Sequence, residues 1–166
     1  MDDFNYIALD AVNSITVEAP KVLQELILRL IPNRTYVLSS VITTESSDNI
    51  PLVRMSLADG SSMMELQRRL LTTQLPFYFE IQDADGNTAS LYANYFDGEY
   101  KHKGVEPDDE LVAATDALTW HKQGCLEEKC QKVIDRCEPW VFTQEDVAVA
   151  NQIMLRQIVK PGDANG

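Results

Sequence analysis

Four side chains that could bind a metal ion lie within a 17-residue span: His121, Cys125, Cys130 and Cys137. Imidazole nitrogen and cysteine sulfur are ligands that zinc prefers, and a closed structural site needs four of them in a tetrahedron. The span lacks the C-x₂-C pair typical of such sites, and one heptad separates Cys130 from Cys137, a spacing typical of small buried residues on a helix face. We predict no metal site here. Zinc binding, or an enzyme centred on His121 and the cysteines, stays an alternative.

A second candidate metal site resembles the start of a calcium-binding loop and consists of Asp83, Asp85, Gly86 and Asn87. Its spacing lacks one residue before the glycine, and no acidic residue follows where such a loop must close. An Asp-Gly pair between two apolar runs is also a strong signal for a hairpin turn. We therefore interpret these residues as a turn.

Four carboxylates cluster at Glu106, Asp108, Asp109 and Glu110. They could belong to a face that mimics the phosphates of a nucleic acid. They could also stabilise the N-terminus of the helix that Pro107 is predicted to open, and we favour this structural role. Asp108, Asp109 and Glu110 remain candidate partner-binding residues. An acidic inhibitor that occupies a nucleic-acid-binding protein is an alternative function.

No Walker loop, dinucleotide-binding glycine pattern, nucleophile elbow or HExxH motif is present. The chain has two histidines, His102 and His121, so acid–base catalysis would fall to carboxylates, and no pair of these stands out. Cys125, next to Gly124 at a predicted helix start, lacks a well-placed histidine base. The sequence thus gives no support for an enzyme or for a cofactor.

Exposed aromatic residues are more informative than the titratable ones. Tyr78 and Tyr92 are predicted on the outer face of a hairpin, and Tyr100 and Trp140 lie close to element ends. Tyrosine and tryptophan are enriched in protein interfaces. We expect the outer face to be covered by the chain's own C-terminal helices or by a partner, and Tyr78, Tyr92, Tyr100 and Trp140 are the candidate contact residues.

The composition restricts the partners. The 166 residues include 26 acidic and 14 basic ones, a net charge of −12. Direct binding to nucleic acid is disfavoured, because phosphate contacts need a basic face. No apolar run approaches the ~20 residues of a membrane span, and two aspartates stand where a signal peptide carries positive charge. Three cysteines fit a reducing compartment. We predict a cytoplasmic protein with no membrane contact.

Hydrophobic spacing predicts the elements that must position these residues. It indicates helices over residues 4–15 and 20–30, strands over 35–44 and 52–57, and a helix from Ser62 to residue 70. Helices also follow from Pro107 to Gly124 and from Cys125 to Cys137. The last helix begins after Thr143, which forms a capping box with Asp146.

Residues 76–96 give the clearest hairpin, with Phe77, Phe79 and Ile81 alternating with polar residues. A two-residue loop would set the apolar side of one strand against the polar side of the other. A three-residue loop, Asp85-Gly86-Asn87, keeps one face apolar and pairs Phe79 with residue 93 and Ile81 with residue 91. We favour this loop, with Asn87 at positive φ. From residue 97 to 106 we expect a connecting loop or a short further strand, entered by a turn at residues 97–99.

These elements predict a single α+β domain of residues 1–166. Its sheet-bearing part, about residues 1–104, holds four to five antiparallel strands, as two hairpins separated by a helix and packed by the N-terminal helices. A three-helix segment covers about residues 105–160. The function we predict is that of a non-enzymatic interaction protein, such as an assembly factor, adaptor or structural subunit. Its partner would be another protein, with a second copy of the chain among the candidates.

Overall fold

A computed structural model describes residues 4–31, 38–58 and 63–158 of the protein, without the side chains of residues 38, 39 and 158. Within them the fold is α+β, with a six-stranded antiparallel sheet and five α-helices. The strands are β1 (Val12–Pro20), β2 (Leu38–Glu45), β3 (Pro51–Leu57), β4 (Phe77–Asp83), β5 (Thr88–Phe96) and β6 (Glu99–Val105). The helices are α1 (Gln24–Leu30), α2 (Met63–Thr72), α3 (Ala114–Lys122), α4 (Leu126–Cys137) and α5 (Gln144–Ile158). None of the described helices has the length and apolar character that a membrane crossing requires.

The strands lie in the order β2-β3-β1-β4-β5-β6, and every neighbouring pair is antiparallel. The two predicted hairpins, β2–β3 and β4–β5, are present with α2 between them. The prediction of four to five strands is too low. The sixth strand is β1, which lies in the middle of the sheet between the two hairpins.

The helix predicted over residues 4–15 is wrong. Residues 12–20 form β1, in which Ile15, Val17 and Ala19 are buried and alternate with more exposed residues. Four of the six residues from 12 to 17 are β-branched, which favours a strand. The spacing of the apolar residues in this segment fits either a helix or a strand. The pairing of β1 with β3 and β4 favours the strand.

One face of the sheet forms the core. Alternate residues of β1, β3, β4 and β5 are fully buried there, with Phe77 and Phe79 the largest. A single 3₁₀ turn (Lys21–Leu23), α1 and α2 cover this face. The second and third predicted helices were expected to pack on the sheet in this way. Ser62, the predicted start of α2, lies outside the described residues. Helix α5 adds Ala150 and Ile153 to the same core.

The β4–β5 hairpin has the predicted odd loop length but a different register. Tyr78 pairs with Tyr92, and Phe79 pairs with Leu91, so the predicted pairs are shifted by two residues. The loop is Ala84-Asp85-Gly86, closed by the hydrogen bond from Asp83 N to Asn87 O of 3.0 Å. Gly86, not Asn87, has the positive φ, at 89°. The predicted faces survive because a shift of two residues preserves which side each residue occupies.

A two-residue turn, Asp97-Gly98, connects β5 to β6, and both of its residues have positive φ. The expected turn is confirmed, and the segment after it is a strand of seven residues. The predicted helix start at Pro107 is wrong. Residues 107–110 form turns, in which the Asp109 carboxylate accepts a hydrogen bond from Glu106 N at 2.7 Å, and α3 begins at Ala114. Asp109 therefore stabilises a loop instead of a helix N-terminus.

Two local predictions in the C-terminal part are confirmed, the end of α3 at Gly124 and the capping box of α5. Gly124 ends α3 with φ 75°, and α4 follows at once. Thr143 and Asp146 form the capping box of α5, with Thr143 N donating to the Asp146 carboxylate at 2.9 Å. Helix α3 has no buried residue, and α4 buries only Cys137. The two helices thus pack lightly on the rest of the fold.

Candidate functional site

The sheet face opposite the core, here called the outer face, carries one row of directly opposed residues, one from each strand. From β2 to β6 the row is Ile42, Arg54, Glu18, Tyr78, Tyr92 and Lys103. Opposed residues on neighbouring strands lie close enough to interact. An ion pair, two aromatic rings in contact and a cation therefore follow one another across the sheet.

The ion pair and the two tyrosines form the centre of this row. Arg54 Nη2 lies 2.9 Å from Glu18 Oε2. The rings of Tyr78 and Tyr92 have centroids 5.1 Å apart. The Tyr78 hydroxyl donates to Glu80 Oε2 at 2.5 Å. Burial raises the pKa of Tyr78 well above its usual value, and the hydrogen bond to the Glu80 carboxylate raises it further. Tyr78 is therefore a neutral hydrogen-bond donor at ordinary pH.

The segment between α4 and α5, residues 138–143, crosses the outer face next to Tyr92. Trp140 lies in this segment, with its ring centroid 6.4 Å from that of Tyr92 and 5.1 Å from that of Phe96. Lys103 Nζ lies 4.9 Å from the centroid of the Trp140 ring and 5.7 Å from that of Tyr92, within the range of cation–π attraction. Tyr92 is only 8% exposed as a result.

Backbone contacts hold this segment in place. The Lys103 ammonium donates to the carbonyl oxygens of Arg136 and Glu138 at the end of α4. Burial lowers the pKa of Lys103. The amide of Asn94 on β5 donates to the Val141 carbonyl at 3.3 Å and to the Asp146 carboxylate at 2.8 Å. The position of Trp140 is thus fixed from β5 and β6.

The first turn of α5 adds two more connections to the sheet. Asp146, which is fully buried, accepts a hydrogen bond from Tyr95 N at 2.9 Å. Glu145 accepts hydrogen bonds from Asp97 N at 3.1 Å and Gly98 N at 2.6 Å, in the β5–β6 turn. The segment that carries Trp140 is therefore attached to β6 at one end, and to β5 and the β5–β6 turn at the other.

An open cleft of about 420 Å³, here called the aromatic cleft, lies between this segment and the β2–β3 loop. Its floor contains Glu18, Arg54, Tyr78 and Tyr92, and one wall is residues 139–142. The opposite wall is residues 44–48, where the Ser46 hydroxyl accepts hydrogen bonds from the backbone of the loop. Its volume falls within the range of ligand-binding pockets.

The charges around the aromatic cleft are mostly negative. Three carboxylates line it, those of Glu18, Glu45 and Asp48, against the single guanidinium of Arg54. Arg54 is already paired with Glu18. Glu45 and Asp48 are exposed at the rim. The cleft therefore combines aromatic rings with an excess of negative charge.

One polar atom in the wall of the aromatic cleft has no partner. Within the described residues, Thr44 Oγ1 is a buried side-chain atom that makes no hydrogen bond. Buried polar atoms in native proteins are nearly always satisfied.

The structure brings only part of the predicted contact set together. Tyr78, Tyr92 and Trp140 meet at the aromatic cleft. Tyr100 does not, because it pairs with Tyr95 and donates to the Leu75 carbonyl at 2.7 Å on the core side.

The three predicted acidic contact residues lie outside the aromatic cleft. Asp108 and Asp109 belong to the turns after β6, and Glu110 lines a separate hollow beside the C-terminal end of α4. The predicted cover of the outer face by the C-terminal helices is only partly found, because the cover next to Tyr92 is the segment between α4 and α5.

The candidate zinc ligands lie on α3, at the N-cap of α4 and on α4, and they do not converge. Cys130 and Cys137 are seven residues apart on one helix, about 10 Å along its axis at 1.5 Å per residue. Two sulfur ligands of one zinc ion each lie ~2.3 Å from the metal, so these two cannot share an ion. No group of three or more histidine, cysteine or acidic side chains in the described part of the chain is arranged to hold a metal.

Sequence reasoning missed Glu18, Arg54 and Lys103. Their signal was present in the alternation of β1 and β3 and in the Lys-x-Lys pattern of β6, but it depends on the order of the strands. Neither histidine lies at the aromatic cleft: His121 is exposed at the end of α3, and His102 Nε2 accepts a hydrogen bond from Asn5 N at 3.2 Å. The cleft offers contact surface, and none of its lining residues is a histidine or a cysteine.

Comparison with protein-family models, with curated proteins and with solved structures finds no match to this chain.

Proposed function

We propose that the protein is a non-enzymatic interaction protein, and that it binds a partner protein through the aromatic cleft. The observation that carries the proposal is the convergence of Tyr78, Tyr92 and Trp140 on one open cleft whose rim is acidic. Tyrosine and tryptophan in a partly desolvated pocket are the residues that contribute most to protein–protein affinity. The roles of assembly factor, adaptor and structural subunit all use such a contact.

The chemistry of the cleft favours a basic segment of the partner. A lysine or arginine side chain would place its charge near Glu45 and Asp48 and its methylene groups against the aromatic rings. Lys103, which lies over Tyr92 and Trp140 in the chain itself, is an internal example of the same contact. The net charge of −12 would attract a basic partner over longer distances.

The alternative of an acidic nucleic-acid mimic has less support. That function needs the carboxylates of the C-terminal helices to form a stripe. Helices α3, α4 and α5 together hold six acidic and five basic residues, so their net charge is only −1.

The chain's two tryptophans allow a matched test of the proposal. The Trp120→Phe variant keeps Trp140 as its only tryptophan, so its fluorescence reports on the aromatic cleft. We expect saturable changes on titration with hexalysine or hexaarginine, none with hexaglutamate, and weaker binding as salt increases. Absence of a saturable change with both basic peptides would overturn the basic partner.

Affinity capture from the native host tests the wider function. Trp140→Ala is expected to lose a partner that wild type and Trp120→Ala both retain, since only Trp140 lies at the cleft. The double variant Glu45→Lys, Asp48→Lys changes the rim charge at two exposed positions, so it keeps the fold and should also lose the partner. A partner captured equally by all four proteins contradicts the aromatic cleft as the binding site.

A further inference from the structure

The two edges of the sheet differ in how they are protected. The β6 edge carries Glu99, Lys101 and Lys103, and charged side chains on an edge discourage pairing with another strand. Residues near the N-terminus also pack against the core-side face of this strand. A Cβ atom on Gly104 would lie only 2.8 Å from Ile7 Cγ2, so the two segments are in close contact.

The β2 edge is less protected, because its one charged residue, Glu45, lies at the strand end and its irregular pairing with β3 is confined to residues 38–40. Residues 38–44 of β2 contain no charged residue and no proline. No described strand pairs with the side of β2 away from β3. Val41 and Ile42 occupy opposite faces of this strand and are 39% and 50% exposed. An uncharged, β-branched edge with exposed apolar residues is a template for another strand.

We infer that β2 of a second copy of the chain adds to this edge in antiparallel orientation, about a two-fold axis at Ile42. In this register Ile42 faces Ile42 of the second copy, Val41 faces Thr43, and Ser40 faces Thr44. Each pair then lies on one face of the joined sheet, as antiparallel pairing requires. No two like charges face each other within residues 39–45.

The net charge of the protein favours the β2 edge over its other surfaces as the contact between two copies. Two copies of −12 repel each other, so a stable contact has to be made where the surface is uncharged, and residues 38–44 meet this condition. A strand of isoleucine, valine, threonine and serine is also self-complementary, since Ile–Ile and Ser–Thr pairs are favourable across strands. A two-fold axis through the strand makes the contact closed, as in most homodimers.

Joined in this way, the two sheets form one continuous sheet with both outer faces on the same side. The two aromatic clefts then open in the same direction. Thr44, at the end of the paired segment, lines the cleft, but Ile42 at the axis does not, so substitutions at Ile42 test the dimer separately from cleft binding.

Sedimentation equilibrium on the full chain tests the inference. Wild type is expected to have twice the chain mass of 18.7 kDa, and Ile42→Lys and Ile42→Glu are each expected to be monomeric, because like charges would face each other at the axis. An equimolar mixture of these two variants should restore the dimer mass. Val22→Lys, at a residue 39% exposed outside the sheet, is the control and should remain dimeric.

A monomeric wild type at every concentration reached would overturn the inference. So would a dimeric Ile42→Lys, or a mixture of the two variants that stays monomeric. Hydrogen exchange on wild type needs no substitution and provides a second test. Amides of β2 should be protected in concentrated protein and exchange faster on dilution, whereas protection that does not change with concentration contradicts the pairing.

Discussion

Asp146 is the residue that connects the segment carrying Trp140 to the sheet. Its buried carboxylate accepts hydrogen bonds from Thr143 N, Asn94 Nδ2 and Tyr95 N, all within 2.9 Å. Asp146→Ala should lower the free energy of unfolding by about 3 kcal/mol, because it leaves these buried donors unpaired. Urea denaturation measures the change.

The control for this substitution is Asp116→Ala on α3. Asp116 is exposed, and its removal should change the free energy of unfolding by less than about 0.5 kcal/mol. In the Trp120→Phe background, Asp146→Ala should also shift the Trp140 emission to the red, because the ring becomes more exposed to water. Equal stability of the two alanine variants would contradict the role given to Asp146.

The residues of the aromatic cleft could be predicted only in part. Tyr78 and Tyr92 were found because the alternation within one hairpin assigns their face. Trp140 was found from its residue type alone, since it lies in an irregular segment. Glu18 could not be found, because it becomes a neighbour of Tyr78 only through the pairing of β1 with β4, and this pairing joins residues 60 positions apart.

Helix and strand boundaries with strong local sequence signals were predicted correctly, and those with weak signals were not. The capping box of α5 and the glycine that ends α3 depend on residues adjacent in the chain. The spacing in residues 4–15 matches a helix, but β1 is stabilised by two neighbouring strands. Tertiary pairing of this kind overrides local preference. The predicted start of α3 at Pro107 is wrong for a different reason. The Asp109 carboxylate accepts a hydrogen bond from Glu106 N and stabilises a turn at this place.

The hairpin loop provides a test at this scale, because the two candidate loops place positive φ at different residues. In the structure Gly86 has φ 89°. Gly86→Ala should therefore lower the free energy of unfolding by about 1 kcal/mol, the cost of a left-handed conformation for a residue with a Cβ atom. Nothing lies within 4 Å of the added methyl group, so steric contact does not contribute.

Asn87→Ala is the matched comparison for the same urea denaturation. It removes the exposed hydrogen bond from Asn87 Nδ2 to Asp83 Oδ2 of 3.0 Å and should cost less than Gly86→Ala. A larger loss for Asn87→Ala would instead support the loop Asp85-Gly86-Asn87 that the sequence suggested.

In the whole molecule, the net negative charge and the uncharged β2 edge affect different contacts. The charge of −12 limits contact between copies and attracts basic partners. The edge allows one closed contact despite this charge. If both proposals hold, the assembled protein presents two aromatic clefts on one side, and its binding to a surface with many basic segments becomes bivalent.

Bivalence predicts a difference between immobilised and free peptide. On a surface densely coated with hexalysine, wild type should dissociate at least about tenfold more slowly than Ile42→Lys or Ile42→Glu, because a second cleft rebinds before the first is lost. Free hexalysine should bind all three proteins with similar affinity in the Trp120→Phe background, since each cleft is intact. The two variants carry opposite charges, so a slower rate for wild type than for both cannot come from the charge at residue 42. Equal dissociation rates for dimeric wild type and the monomeric variants would mean that the two clefts do not act together, and that the copies are joined in another orientation.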